Sequence, residues 1–120
     1  MRTVKVDRPD WIDGKWELEG YTFEVDDELR GLIREGISRR ANAIAMKALR
    51  GVNIYEDEDA FGLLTKQYAE CSKHIGKVYL EGEELTDAKR AEVLDSISII
   101  ARDSLSNEVA GANALGLGKG

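Results

Sequence analysis

Polar and apolar residues alternate between Asp10 and Val25, and two pairs, Asp13-Gly14 and Glu19-Gly20, stand where two-residue turns close hairpins. That spacing predicts an antiparallel meander in which Trp11 faces Trp16, Leu18 faces Tyr21 and Trp16 faces Phe23. Trp11, Trp16 and Phe23 then form one row, sharing a face with Leu18, Tyr21 and Val25. Lys15, Glu17, Thr22 and Glu24 turn to water. Thr3 to Val6 adds a fourth strand, with the only proline, Pro9, at the bend after it.

The period changes after residue 26. Leu29, Ile33, Ile37, Ala41, Ile44 and Ala48 recur at steps of three and four, which predicts a helix capped by Asp26 or Asp27 and stopped by Gly51. Gly31 and Gly36 each cost about 1 kcal/mol inside a helix relative to alanine, so close packing is expected there, against the tryptophan row. Phe61, Leu64, Tyr68, Cys71 and Ile75 mark a second helix from Asp57 to Ile75, ended by Gly76. Lys77 to Leu80 reads as a short extended piece at a sheet edge, followed by the turn residues Glu81, Gly82 and Glu83. Thr86 caps the last helical segment, in which Leu94, Ile97, Ala101, Leu105, Val109 and Ala112 keep one stripe. Ile99 and Ile100 fall off that stripe, so residues 87–113 form either one long helix or two with a break near Ser98.

These elements predict an α+β fold in which a small N-terminal antiparallel meander packs on three to four helices. At 120 residues the chain suits a single domain, expected over 1–115, with the meander in 1–25, mainly helical structure in 26–115 and a flexible tail in 116–120. Apolar runs of about four residues fall far short of the ~20 needed to cross a bilayer, and no signal-peptide pattern opens the chain. One cysteine excludes an internal disulfide and fits a reducing compartment, so a cytoplasmic location is expected.

The net charge of −6 is uneven. Residues 1–27 carry −4, residues 28–50 carry +4 and residues 51–120 carry −6. An acidic chain is repelled by nucleic-acid phosphates unless the basic segment forms a footprint of its own, so nucleic acid is a minor expectation. Arg30, Arg34, Arg39, Arg40, Lys47 and Arg50 crowd the first helix. Arginine clusters grip phosphate or carboxylate, but a basic helix in an acidic chain is expected to spend its charge on ion pairs within the fold or across a dimer.

The tests for chemistry return little. Cys71 and His74, three apart on one helix, have a metal-binding or thiol-activating spacing, yet no other Cys or His completes a tetrahedral site. Cys71 also sits in register with the apolar stripe, so both residues are expected to be structural and no metal or cofactor is expected. The run Tyr55-Glu56-Asp57-Glu58-Asp59 has the carboxylates for calcium but fails the loop grammar, since Phe61 and Tyr68 stand at the fifth and twelfth positions counted from Asp57. It reads as a solvated helix start. The Gly118-Lys119 pair lacks the earlier glycine and the following Ser or Thr of a phosphate loop, and no nucleophile elbow exists. No catalytic residue is assigned, and the chain is expected not to be an enzyme.

Three stretches carry a resemblance: Ala69-Glu70-Cys71-Ser72-Lys73-His74-Ile75, then Val78-Tyr79-Leu80-Glu81-Gly82-Glu83-Glu84-Leu85-Thr86, then Arg90 to Asn113. This order, a cysteine-bearing helix, an extended piece, a short acidic turn and a final helical segment, resembles the C-terminal region of the tail assembly chaperones of tailed bacteriophages. The resemblance implies a non-enzymatic protein that binds the tape measure protein and helps tail-tube subunits polymerise. It carries over no functional residue, because the family has no catalytic motif to match.

The residues themselves point to a binding module with an apolar, basic or helical partner. Besides a chaperone, two classes fit: a virion structural subunit such as a baseplate or connector part, and an acidic inhibitor of a host nucleic-acid-binding protein. Three apolar helix stripes and an aromatic sheet face exceed what one small core easily covers. A homo-oligomer or obligate partner complex is therefore expected, with Leu94, Ile97, Ala101, Leu105 and Val109 as its contact surface.

Overall fold

The structure is a computed structural model and describes residues 1–117, with side chains through residue 113. In chain order the elements are β1 (Arg2–Lys5), β2 (Tyr21–Val25), α1 (Gly31–Leu49), α2 (Glu58–Ser72), β3 (Ile75–Leu80), β4 (Glu83–Glu84), α3 (Asp87–Ser96) and α4 (Ile99–Leu117). The fold is α+β: one antiparallel sheet in the order β1-β2-β3-β4, covered by helices. The tail expected over 116–120 lies outside the described residues, except that Gly116 and Leu117 end α4.

The sheet joins distant parts of the chain, and the strands expected between Asp10 and Leu18 do not form. A hairpin at Glu19-Gly20 requires the left-handed region at both residues; Gly20 enters it, at φ +83°, and Glu19 does not. Instead the chain winds through successive turns, with the Glu19 N–H donating to Trp16 O at 3.0 Å and the Tyr21 N–H to Leu18 O at 3.1 Å. The place beside β2 goes to β3, which sets Leu80, Val78 and Ile75 opposite Tyr21, Phe23 and Val25. The same dipeptide does make a hairpin at the expected turn, at Glu81-Gly82, where both residues take positive φ (50° and 82°) and Leu80 meets Glu83 of a strand not expected from the sequence. Lys77 to Leu80 is thus internal to the sheet, not at its edge.

The tryptophan row is overturned in the same way. Trp16 is buried because its indole N–H donates to Val6 O at 2.8 Å, whereas Trp11 is 60% exposed and lies against Tyr55, with ring centroids 5.7 Å apart. The loop holding both tryptophans closes on α4: the Glu17 carboxylate accepts from the backbone N–H and the hydroxyl of Ser98, both at 2.7 Å.

That contact settles the break near Ser98 in favour of two helices. The Ser98 hydroxyl accepts from the Ala101 N–H at 3.2 Å, capping α4, while Ile97 turns extended. The Arg102 guanidinium donates to Ile97 O at 2.9 Å and Asp95 O at 2.7 Å, satisfying carbonyls that the end of α3 leaves open. Caps also fix α2, where the Asp57 carboxylate accepts from the Ala60 N–H at 2.9 Å, and α3, where the Thr86 hydroxyl accepts from the Lys89 N–H at 3.3 Å. Helix α2 stops at Ser72, short of the expected Ile75, because Ile75 is taken into the ladder with Val25.

Helix α1 starts five residues after Asp26. Asp26 instead accepts from the Glu28 N–H at 2.9 Å as a local turn. The Asn113 side chain holds the same stretch from α4, accepting from the Leu29 N–H and donating to Asp26 O, each at 2.8 Å. Phe23, Val25 and Val78 of the sheet share one core with Tyr68 and Cys71 of α2 and Leu105 and Val109 of α4. Helix α1 packs on α2 and α4, and of its own residues buries only Ile37 and Ile44. Among the described residues no helix is long and apolar enough to cross a membrane.

Candidate protein-binding face on helix α1

The stripe expected to bind a partner is the molecule's own core. Ala101, Leu105 and Val109 are fully buried, Leu94 is buried, and Ile97 is half-buried and packed against the same cluster. The reason is topological: α4 is covered by α2 and by the sheet that β2 and β3 assemble from separate parts of the chain. The homo-oligomer expected through that stripe loses the surface it rested on.

Besides Met1, Trp11 and Phe61, the large apolar side chains left exposed among the described residues lie on α1. Leu32 is 86% exposed, Leu49 81% and Met46 50%, with Ala43 and Ala45 exposed beside Met46. At 100° per residue Leu32, Met46 and Leu49 fall on the side of the helix opposite Ile37 and Ile44, with the two alanines on its flanks. Two residues of the expected buried stripe, Ile33 and Ala48, are exposed as well. Single exposed leucines are ordinary; three large apolar side chains along the outward side of one helix make a face.

Cations frame it. Arg39, exposed, reaches back to Glu35 at 3.0 Å, while Arg30 and Arg50 at the two ends are exposed and make no ion pair among the described residues. The other bases of the cluster turn inward. Lys47 pairs with Asp57 at 3.4 Å. The Arg40 guanidinium donates to Gln67 Oε1 at 2.8 Å, and the buried Gln67 amide in turn donates to Ile37 O at 2.8 Å. This explains Gly36: a Cβ there would meet the Arg40 guanidinium at 3.3 Å, so the glycine makes room for that reach and does not pack on the tryptophans. The expected ion pairing within the fold thus accounts for Lys47 and Arg39; Arg40 bonds an amide, and Arg30, Arg34 and Arg50 make no ion pair among the described residues, Arg34 with its buried Nε and Nη2 lacking a hydrogen-bond partner.

Cys71 is fully buried, and its Sγ lies 3.9 Å from Ser106 O. Burial pushes the thiol up to about 12, so at neutral pH it stays protonated and is a poor nucleophile and ligand. His74 stands in the turn before β3, its backbone carbonyl accepting from the Asp26 N–H at 3.0 Å. Among the described residues no group of His, Cys, Asp and Glu is gathered to hold a metal. The acidic run at 56–59 starts α2: Asp57 is the cap, and the Ala60 N–H, followed by Lys47, holds its carboxyl below the ordinary range.

Hollows of about 370 Å³ beside Trp16 and about 400 Å³ beside Arg34 are each lined by acids and bases together, with no nucleophile paired to a base. Of the buried polar groups that pattern reading missed, Gln67 ties α2 to α1, while Asp103 and Asn113 tie α4 to the loops before α2 and α1. Asp103 accepts from the Tyr55 hydroxyl at 2.8 Å, and burial raises its carboxyl above the usual range. A polar residue inside an apolar stripe is the only mark they leave in the sequence. Comparison with known proteins finds no matching family model, no matching curated protein and no matching solved structure.

Proposed function

We propose that this chain is a non-enzymatic protein-binding module that works through the outward face of α1, and that it acts as a tail assembly chaperone of a tailed bacteriophage, engaging the tape measure protein in the host cytoplasm. The observation that carries the binding reading is the exposure of Leu32, Met46 and Leu49 along one side of a helix whose other side is anchored in the fold. The chaperone reading rests on the resemblance over 68–119, in which the cysteine-bearing helix, extended piece, acidic turn and closing helices follow one another as α2, β3, Glu81-Gly82 and α3 with α4.

Co-expression tests it. The tape measure protein made together with this chain should stay soluble and co-purify with it, and should aggregate when made alone or with a Leu32→Ser, Leu49→Ser variant. A tape measure protein equally soluble with and without the chain contradicts the chaperone reading. Mass spectrometry finding the chain as a stoichiometric part of purified particles would point instead to a virion subunit.

A further inference from the structure

Helix α1 is held to the molecule more thinly than its neighbours. Of its 19 residues only Ile37 and Ile44 are buried, whereas the 15 residues of α2 bury Ala60, Leu64, Gln67, Tyr68 and Cys71. Ile44, Ala60 and Leu64 also lie outside the cluster that joins the sheet to α2 and α4. The other ties are polar. Gln67 accepts from the Arg40 guanidinium and donates to Ile37 O, and Lys47 pairs with Asp57. Water replaces such partners when a helix lifts away, so they add little net hold.

The closed position also carries a cost. Arg34 Nε and Nη2 are buried without a hydrogen-bond partner among the described residues, and contact with water satisfies both. No side chain caps the start of α1 and no acid stands in its first turn, while Asp57, Thr86 and Ser98 cap the other three helices. The hollow of about 400 Å³ at that start is lined by Arg30, Arg34 and Asn113 of α4. Just outside α1 the chain is anchored twice, the Leu29 N–H donating to Asn113 and the Tyr55 hydroxyl to Asp103, both on α4. Gly31, at φ +63° with nothing near its Cβ position, supplies a bend between the first anchor and the helix.

We infer that α1 is a strap that opens as one unit between these two anchors while the sheet, α2 and α4 stay folded. Segments with few buried apolar contacts open at less cost than the whole molecule unfolds. Opening frees Ile37 and Ile44 and uncovers Gln67 on α2, surface that the closed form conceals. This equilibrium belongs to the free chain and needs no partner.

Hydrogen exchange of the full chain, followed by NMR in low urea at a pH where reclosing outruns exchange, tests it. Amides of residues 35–49 should exchange through one shared opening, at least about tenfold faster than the protected amides of β2, β3 and α4, and with a weaker dependence on urea. Val78→Ala thins the core under the sheet, where Val78 is fully buried. It should speed exchange in β2, β3 and α4 by about tenfold or more and leave residues 35–49 unchanged, because the closed and the opened form both keep that core. Ile75→Val, with an expected change of about threefold, makes the same comparison if Val78→Ala does not fold. Gln67→Ala, which cuts the tie to Arg40 and Ile37, should speed residues 35–49 by about fivefold or more. The inference is overturned if residues 35–49 exchange at the rate of the sheet, if they share no common opening, if they speed up in step with the sheet in the Val78 or Ile75 variant, or if Gln67→Ala leaves them unchanged.

Discussion

Trp16 and Trp11 show how one hydrogen bond decides the fate of a side chain. Trp16 is 8% exposed because Val6 O accepts its indole N–H inside the core, so the ring is buried without an orphaned donor. Trp16→Ala should therefore cost about 3–5 kcal/mol. Trp11→Ala removes an aromatic contact with Tyr55 and should cost about 1 kcal/mol. Urea denaturation of the two variants checks this, and equal midpoints would contradict it.

Asp103 works against stability when ionised. Burial raises its folded pKa above the ordinary 3.8, so the folded chain keeps the proton where the unfolded chain has lost it. The penalty then grows as pH rises past 3.8 and is complete above the folded value. Asp103→Asn keeps an acceptor for the Tyr55 hydroxyl and cannot ionise. It should melt at a higher temperature than the parent near neutral pH, with the gap closing as the solution is acidified toward 3.8. A gap of opposite sign, or one that does not change with pH, would refute this.

At the scale of elements, what was legible in the sequence was what is encoded locally. The starts of α2 and α3 follow from Asp57 and Thr86, whose caps act within three residues, and the Glu81-Gly82 hairpin closes on itself. The end of α2, the start of α1 and the partner of β2 were not legible, because each is decided by a residue far along the chain: Val25 claims Ile75, Asn113 holds Leu29, and Val78 takes the place beside Phe23. Asn113→Ala would leave the Leu29 N–H and Asp26 C=O without that partner and should cost about 1–3 kcal/mol, measured by thermal melting. The apolar stripe of α4 was legible as apolar; which element covers it was not, since its cover is assembled from the sheet and α2. Leu105→Ala should accordingly cost about 2–5 kcal/mol, whereas Leu32→Ser with Leu49→Ser should move the melting temperature by no more than about 4 °C. A large loss in the second variant would show that the α1 face serves the fold.

For the whole molecule, the division of labour follows from layering. The sheet, α2 and α4 close one core, and α1 adds to it from one side only, which leaves Leu32, Met46 and Leu49 exposed on the other. The candidate site was half legible: the basic helix stood out in the charge distribution, but its outward leucines looked no different from core positions until the packing of α1 was known. Hydrogen–deuterium exchange of the full chain, alone and co-expressed with a tape measure protein as the proposed partner, tests the central claim most directly. New protection confined to residues 31–50 is the predicted result, and protection elsewhere with that segment unchanged would contradict it.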